Sequence, residues 1–208
     1  TRLIEGKDFW ISQIIDSLWP IKNEYLGSAN SKKIIDVGSG CGLPGLAIAI
    51  ALPKSSLILV DSIQRKTIAL KNIAQELGLH SRVSVVNERI ELLGQHNSFR
   101  SSFDLSVARA VASSPVVAEY LIPLLKEQGE AFIYKGKLDS YQLEELKNAL
   151  IPLKGEIKKI KCLNLPENKG IRHVISIARI GECPKKYPRA VGIPIKKPLG
   201  SSYAFDNL

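Results

Sequence analysis

The segment IIDVGSGCGLPG, residues 34–45, carries the strongest indication of the fold. A short apolar strand pattern at residues 34–37 runs directly into three alternating glycines, Gly38, Gly40 and Gly42, and then into an apolar run of helical length. Glycine supplies the tight turn and, because it has no side chain, lets a ligand come close to the backbone. Ligands of open α/β sheets bind at the carboxyl ends of the strands. The loop therefore predicts a binding site at that edge.

The spacing of the glycines indicates which ligand the loop takes. A dinucleotide fingerprint has its third glycine five residues after the first, where this sequence has Leu43. The glycines alternate instead, with Asp36 two residues before the first, and this pattern resembles motif I of class I methyltransferases. Asp61 ends the next apolar segment, and an acceptor-only carboxylate suits the two ribose hydroxyls of an adenosine. A nicotinamide enzyme and a glycine turn without a ligand remain the alternatives.

Strand and helix patterns alternate as far as residue 150, which is typical of an α/β, doubly wound, mostly parallel sheet. Two further strand patterns, near residues 157–163 and 174–179, have no helix between them. They predict a C-terminal hairpin that places one antiparallel strand on a seven-stranded, Rossmann-like sheet. We interpret residues 1–30 as a helical segment, 31–180 as the binding domain and 181–208 as an extended, basic tail rich in Pro, Gly and Lys.

The net charge of +9 is unevenly distributed. Residues 154–197 contain 12 basic and 3 acidic side chains, a difference of +9, so the rest of the chain is neutral with 17 of each sign. This asymmetry favours a polyanionic partner, nucleic acid above all, for the C-terminal quarter. The alternative is a solvated surface that is rich in lysine.

Composition argues against several classes of protein. No apolar run approaches the roughly 20 residues that span a bilayer, and no secretory signal pattern opens the chain. The three cysteines are odd in number and lack metal-ligand spacing, which favours a reducing compartment and predicts no metal site. The chain has no methionine and opens at Thr1, so we expect a leading segment before it.

Five motifs give the sequence a family resemblance. GSGCGLPG, LVDSIQRKTIAL, ERIE, FDLSVARAVAS and YKGK occur in this order between residues 38 and 137. Together they are similar to the glucose-inhibited division protein B family, class I methyltransferases that use S-adenosyl-L-methionine to make 7-methylguanosine in 16S (small-subunit) ribosomal RNA. The family often has His where Gln13 stands here, and Cys41 occupies a variable loop position. We expect a monomer that binds neither metal nor membrane, in a bacterial cytoplasm or an organelle of bacterial descent.

The resemblance also implies a set of cofactor-binding residues, which we combine with the loop analysis: Asp36, Gly38, Gly40, Gly42, Leu43, Asp61, Ser62, Ile90, Glu91 and Arg109. Asp61 and Ser62 would lie at the ribose, and Ile90 and Glu91 would bracket the adenine. Three alternatives stay open: Glu91 as an exposed charge at a helix start, Arg109 as a salt-bridge partner at the sheet end, and Ile90 as core. Basic residues expected to contact RNA are Lys135, Lys137, Arg172, Lys185, Lys186, Arg189, Lys196 and Lys197. A solvated pair is the alternative for Lys135 and Lys137.

The predicted reaction needs no obvious catalytic base. Guanine N7 carries an in-plane lone pair and no proton, so the enzyme has to align the reactants and exclude water. A splayed, unpaired guanosine is the expected substrate because side chains cannot read the deep major groove of duplex RNA. Rival interpretations are a small-molecule or protein methyltransferase on the same fold and a non-catalytic RNA-binding module.

Overall fold

The computed structural model describes residues 6–22, 25 and 31–201 of the 208-residue chain. Within this part of the chain one seven-stranded sheet has the order β3-β2-β1-β4-β5-β7-β6. β1 to β5 are mutually parallel, and β7 lies antiparallel between β5 and β6. The predicted hairpin with one antiparallel strand is confirmed. The strands are β1 (Lys33–Val37), β2 (Ser56–Asp61), β3 (Val83–Asn87), β4 (Phe103–Arg109), β5 (Leu125–Lys135), β6 (Gly155–Asn164) and β7 (Ile171–Arg179).

Helices cover both faces of the sheet, as a doubly wound fold requires. One apolar cluster packs the N-terminal segment, α3 (Gly45–Ala51) and α4 (Gln64–Glu76) against one face. The other packs α5 (Ile90–Leu93), α6 (Ser114–Leu121) and α7 (Ser140–Leu153) against the opposite face. Each crossover helix follows a parallel strand. The loops that leave β1 to β5 therefore meet at the edge formed by the carboxyl ends of these strands.

The N-terminal segment is helical, as predicted, over its described residues. It consists of α1 (Lys7–Phe9), a π-helical turn (Trp10–Ile15), α2 (Asp16–Leu18) and a 3-10 turn (Trp19–Ile21). The Tyr134 hydroxyl donates to the carbonyl of Ser17 at 2.8 Å and fixes the segment to the end of β5. The prediction for residues 1–5, 23–24 and 26–30 lies outside the described residues.

The C-terminal segment differs from the extended tail that its composition suggested. Residues 181–201 fold back over α5, α6 and α7, with Cys183 and Tyr187 buried in the apolar cluster of that face. The Arg100 guanidinium donates to the carbonyls of Cys183 and Tyr187, both at 2.6 Å. The short helix α8 (Ile193–Lys196) follows, and residues 202–208 lie outside the described residues. We call residues 181–201 the strap.

Candidate cofactor and substrate cavities

A cavity of about 270 Å³ opens at the carboxyl ends of β1, β2, β3 and β4. Five of the residues that the sequence analysis assigned to the cofactor line it: Gly38, Asp61, Ser62, Ile90 and Glu91. They come from three separate loops, and the parallel strands bring them together. The edge predicted from the glycine loop is therefore the edge at which these residues meet.

Asp61 presents a fixed carboxylate at the floor of this first cavity. Its Oδ1 accepts from the backbone N–H of Ile63 at 2.9 Å, and its Oδ2 accepts from that of Gly40 at 3.0 Å. The Lys66 ammonium stands 3.7 Å from Oδ2. A carboxylate has about four lone-pair positions, so acceptor capacity is left for a ligand, and the two backbone bonds hold the group in place.

Gly38 is the loop glycine that lines the first cavity. Its backbone is left-handed, with φ +71°, and a Cβ built there would lie 2.6 Å from Cγ2 of Val111. Any side chain would close this part of the cavity. Gly40, Gly42 and the half-buried Leu43 shape the loop but do not line the cavity.

Asp36 lies beneath the loop with no exposed surface. Its Oδ2 accepts from the backbone N–H of Gly45 at 2.9 Å, while Oδ1 has no hydrogen-bond partner among the described residues. Burial raises the pKa of the carboxyl from 3.8 to about 6, an effect that the Gly45 hydrogen bond partly offsets. A buried carboxylate oxygen without a partner is a position that a donor group on a ligand, or an ordered water, would satisfy.

Glu91 is buried, so the alternative of an exposed charge at a helix start is wrong. Its Oε1 accepts from the Tyr120 hydroxyl at 3.2 Å and from the backbone N–H of Gly192 at 3.1 Å. Burial, followed by the adjacent Glu91 carboxylate, raises the pKa of Tyr120 well above its ordinary value. Glu91 thus joins α5, α6 and the strap at one end of the cavity.

Arg109 does not line the first cavity, which differs from the cofactor contact expected for it. Its guanidinium donates to Asp16 Oδ2 at 3.0 Å and to Gln13 Oε1 at 2.6 Å. This is the salt-bridge alternative of the sequence analysis, with both partners in the N-terminal segment. The physical reason is that β4 ends beside the N-terminal segment, so the Arg109 side chain lies within hydrogen-bond distance of the Asp16 carboxylate.

A second cavity of about 640 Å³ lies beside the first and is lined by Arg109 together with Asp16. Three of the predicted RNA-contacting residues, Lys135, Lys137 and Arg172, also line it. Arg172 and Lys135 share this edge because β7 is antiparallel to β5. The backbone of Ala110, with φ +57°, lines both cavities. The two cavities therefore adjoin directly at the end of β4.

The strap residues predicted to contact RNA differ in exposure and in their partners. Lys185, Lys186, Lys196 and Lys197 are exposed. Arg189 differs from these lysines: its guanidinium donates to Oε1 of the fully buried Glu119 carboxylate at 2.9 Å and to Oε2 at 2.6 Å, and also donates to the carbonyl of Lys197. This ion pair commits the guanidinium to the fold, and contact of Arg189 with RNA stays a prediction.

Comparison with known proteins decides the family. A family model described as rRNA small subunit methyltransferase G matches residues 1–175. The chain belongs to this family. A Prochlorococcus marinus protein named ribosomal RNA small subunit methyltransferase G is 60% identical over 208 residues, which cover 100% of this chain and 82% of that protein. A Synechococcus protein of the same name is 52% identical over 97% of this chain and 79% of its own length.

Solved structures extend the comparison to the fold. The ribosomal protein L11 methylase of Lactobacillus delbrueckii subsp. bulgaricus superposes with a TM-score of 0.60 at 20% identity, covering 82% of this chain and 80% of the other. The riboflavin-analogue dimethyltransferase of Streptomyces davawensis gives 0.61 at 14% identity, covering 82% and 55%. At this identity the likeness shows the class I methyltransferase fold and nothing finer.

Sequence reasoning missed several residues that form these two cavities. Tyr120, Val111 and Ile195 line the first cavity, and Asp16 lines the second. Tyr120, Ile195 and Asp16 belong to segments that carry none of the five motifs, so no local signal marks them, whereas Val111 lies within the motif FDLSVARAVAS and could have been inferred from it. Across residues 6–22, 25 and 31–201, no three metal-binding side chains are grouped, and no helix has the length and apolarity to cross a bilayer.

Proposed function

We propose that this protein transfers a methyl group from S-adenosyl-L-methionine to N7 of a guanosine in 16S ribosomal RNA. The observation that carries the proposal is the junction at Ala110, where a cavity lined by the predicted cofactor residues adjoins a larger cavity lined by basic side chains. Membership of the rRNA small subunit methyltransferase G family supports the choice of substrate. The reaction belongs in the compartment that holds this RNA, a bacterial cytoplasm or an organelle of bacterial descent.

The residues of the first cavity suit the parts of the cofactor. Asp61 would accept hydrogen bonds from the ribose hydroxyls, with Ser62 beside it, and Ile90 would lie against the adenine. Gly38 leaves room for the amino-acid end, and the unpartnered Asp36 oxygen beneath the loop favours a cationic group above it. When bound, the cofactor would supply a methyl group activated by its sulfonium. The sulfur would be left as a neutral thioether after transfer.

The second cavity would receive the target nucleotide. Lys135 ends β5 and Lys137 lies just beyond it at this edge, and their ammonium groups would hold RNA phosphates. Arg109 and Arg172 both pair with Asp16, at 3.0 and 3.6 Å, so this wall carries two positive charges and one negative charge. The exposed strap lysines would add phosphate contacts outside the cavity, and residues 31–180 would form the catalytic domain.

The chain's own residues have a positioning task in this reaction. Guanine N7 has no proton to lose, so no side chain has to act as a general base. Asp61, the Gly38 loop and the Arg109–Asp16 pair would fix the two reactants on either side of Ala110. Alignment of this kind supplies a large share of the rate enhancement when a neutral nucleophile attacks in line.

Calorimetric titration of S-adenosylmethionine into the protein and its Asp61→Ala variant tests the cofactor site. We expect saturable binding by the wild type and an affinity at least about tenfold lower in the variant, because charge-assisted hydrogen bonds to the ribose are lost. Asp104→Ala is the matched control: Asp104 also accepts from a backbone N–H, that of Lys33 at 2.7 Å, but it lies near the opposite edge of the sheet.

The substrate is tested by transfer of labelled methyl groups to small-subunit RNA. Labelled product should map to a single guanosine whose N7 methylation permits selective strand cleavage. Folded wild-type protein that binds no S-adenosylmethionine would overturn the cofactor assignment. Methylation of free metabolites in preference to RNA would overturn the substrate assignment.

A further inference from the structure

Ile195 is an exposed apolar side chain in the wall of the first cavity. It belongs to α8 in the strap, more than 100 residues beyond Glu91 in the chain, and 58% of its surface is exposed. An isoleucine in a concave wall, facing a cavity rather than the core, is a contact that a ligand can cover. We propose that Ile195 forms part of the S-adenosylmethionine site and contacts the adenine ring.

The position of Ile195 along the cavity identifies the adenine as its partner, and this step rests on the proposed function. Gly38 and Ala110, after β1 and β4, lie at one end, and Asp61, after β2, lies between. The other end is formed after β3 by Ile90 and Glu91. Because Glu91 accepts from the backbone N–H of Gly192, the turn that leads into α8 is fixed at this end. With the ribose at Asp61, the end beyond β2 is the base end.

The strap holds Ile195 in a defined place. The Arg189 guanidinium pairs with the Glu119 carboxylate of α6 and also donates to the Lys197 carbonyl at 2.8 Å. The second hydrogen bond links the residues before α8 to those after it. Pro188 packs on Gly94, where a Cβ would meet its ring at 2.6 Å. The contact surface is therefore organised before a ligand arrives, which lowers the entropy cost of binding.

The chemistry of the contact is apolar burial on a ring face. Ile90 is almost fully buried, with 8% of its surface exposed, so it offers little further area to a ligand. Ile195 offers a larger free surface, and covering it with a flat purine removes apolar area from both partners. The strap would thus serve the cofactor site through Ile195, in addition to any role of its lysines in RNA binding.

Titration of S-adenosylhomocysteine and of 5′-methylthioadenosine into the Ile195→Ser variant tests this contact. The second compound keeps the adenosine and lacks the amino-acid end. We expect both affinities to fall by the same factor, about five- to tenfold, because the lost contact is to the base that they share. Ile195→Leu should bind within about twofold of the wild type, since it keeps the apolar surface.

Ile193→Ser is the matched control, since Ile193 is exposed on the same short helix and does not line the cavity. It should leave both affinities unchanged, and thermal midpoints without ligand should agree among the three variants. Wild-type affinity of Ile195→Ser for both compounds would overturn the inference, as would a loss confined to S-adenosylhomocysteine. A wild type that binds neither compound would instead overturn the proposed function.

Discussion

At Asp36, burial and an incomplete set of hydrogen bonds act on one carboxyl group. The side chain has no exposed surface, one oxygen accepts from Gly45 and the other has no partner among the described residues. Its pKa of about 6 therefore lies above the value of an unfolded chain, so the folded protein favours the protonated form. This residue makes stability depend on pH in a range where most carboxyl groups are fully ionised.

The Asp36→Asn variant should reveal this dependence. Because the folded-state pKa is raised, the contribution of Asp36 to stability is present at low pH and is lost as the pH rises through about 6. Between pH 4 and pH 7.5 the unfolding free energy of the wild type should fall by about 2 kcal/mol relative to the variant. Urea unfolding of both proteins at several pH values measures the difference. Glu76→Gln, an exposed change in α4, should give a constant difference, and a constant difference for Asp36→Asn would contradict the assignment.

Residue-level prediction from the sequence succeeded where backbone topology decides position. Gly38, Asp61 and Ile90 meet at one cavity because each follows a parallel strand, and parallel strands end at a common edge. Arg109 follows a strand in the same way, yet its partner Asp16 is 93 residues earlier in the chain. A side-chain pairing between distant segments leaves no periodic or local signal, so the sequence did not show that Arg109 pairs with Asp16, and its contact with the cofactor stays a prediction.

The strand boundaries predicted from the sequence followed the apolar runs. They were too short where polar residues also belong to the strand. β7 was expected near residues 174–179 but begins at Ile171, because the polar residues Arg172 and His173 also pair with β6. α5 and α8 span four residues each, too few for a helical period to register. The packing of the strap was not predicted because it depends on contacts between residues far apart in the chain. Arg100 donates to a carbonyl of the strap, and Arg189 of the strap pairs with the Glu119 carboxylate.

The Glu119–Arg189 pair should control the attachment of the strap. Glu119 in α6 is fully buried, and Arg189 is its ion-pair partner at 2.6 Å. Glu119→Ala leaves Arg189 without that partner, and we expect a loss of about 3 kcal/mol in unfolding free energy. Glu127→Ala, which removes an exposed carboxylate from β5, should change it by less than about 0.5 kcal/mol. Denaturant unfolding measures both, and equal small effects would mean that the strap contributes little to stability.

On the scale of the whole molecule, the uneven charge has two uses. Several basic residues of the C-terminal quarter are committed to the fold: Arg189 to Glu119, Lys169 to Asp8 at 2.7 Å, and Arg179 to the Leu125 carbonyl at 2.6 Å. Composition counts these residues with the rest, so it overstates the charge available to a partner. The residues that remain, in the second cavity and on the strap, lie at the ligand edge or on the exposed surface.

Salt dependence of RNA binding separates a focused basic site from a diffuse one. The Lys135→Gln/Lys137→Gln double variant should bind small-subunit RNA more weakly, and the slope of log affinity against log salt should fall by about 1.4, since each single-stranded phosphate contact contributes about 0.7. Its affinity for S-adenosylmethionine should not change, because neither lysine lines the first cavity. Lys54→Gln/Lys71→Gln removes the same charge from exposed positions outside both cavities and should leave the slope unaltered. If the two double variants lowered RNA affinity equally, RNA would be attracted by net charge alone. That result would contradict the assignment of the second cavity as the site of the target nucleotide. A larger loss of RNA affinity in the cavity variant would support phosphate contacts beside Ala110, the proposed point of methyl transfer.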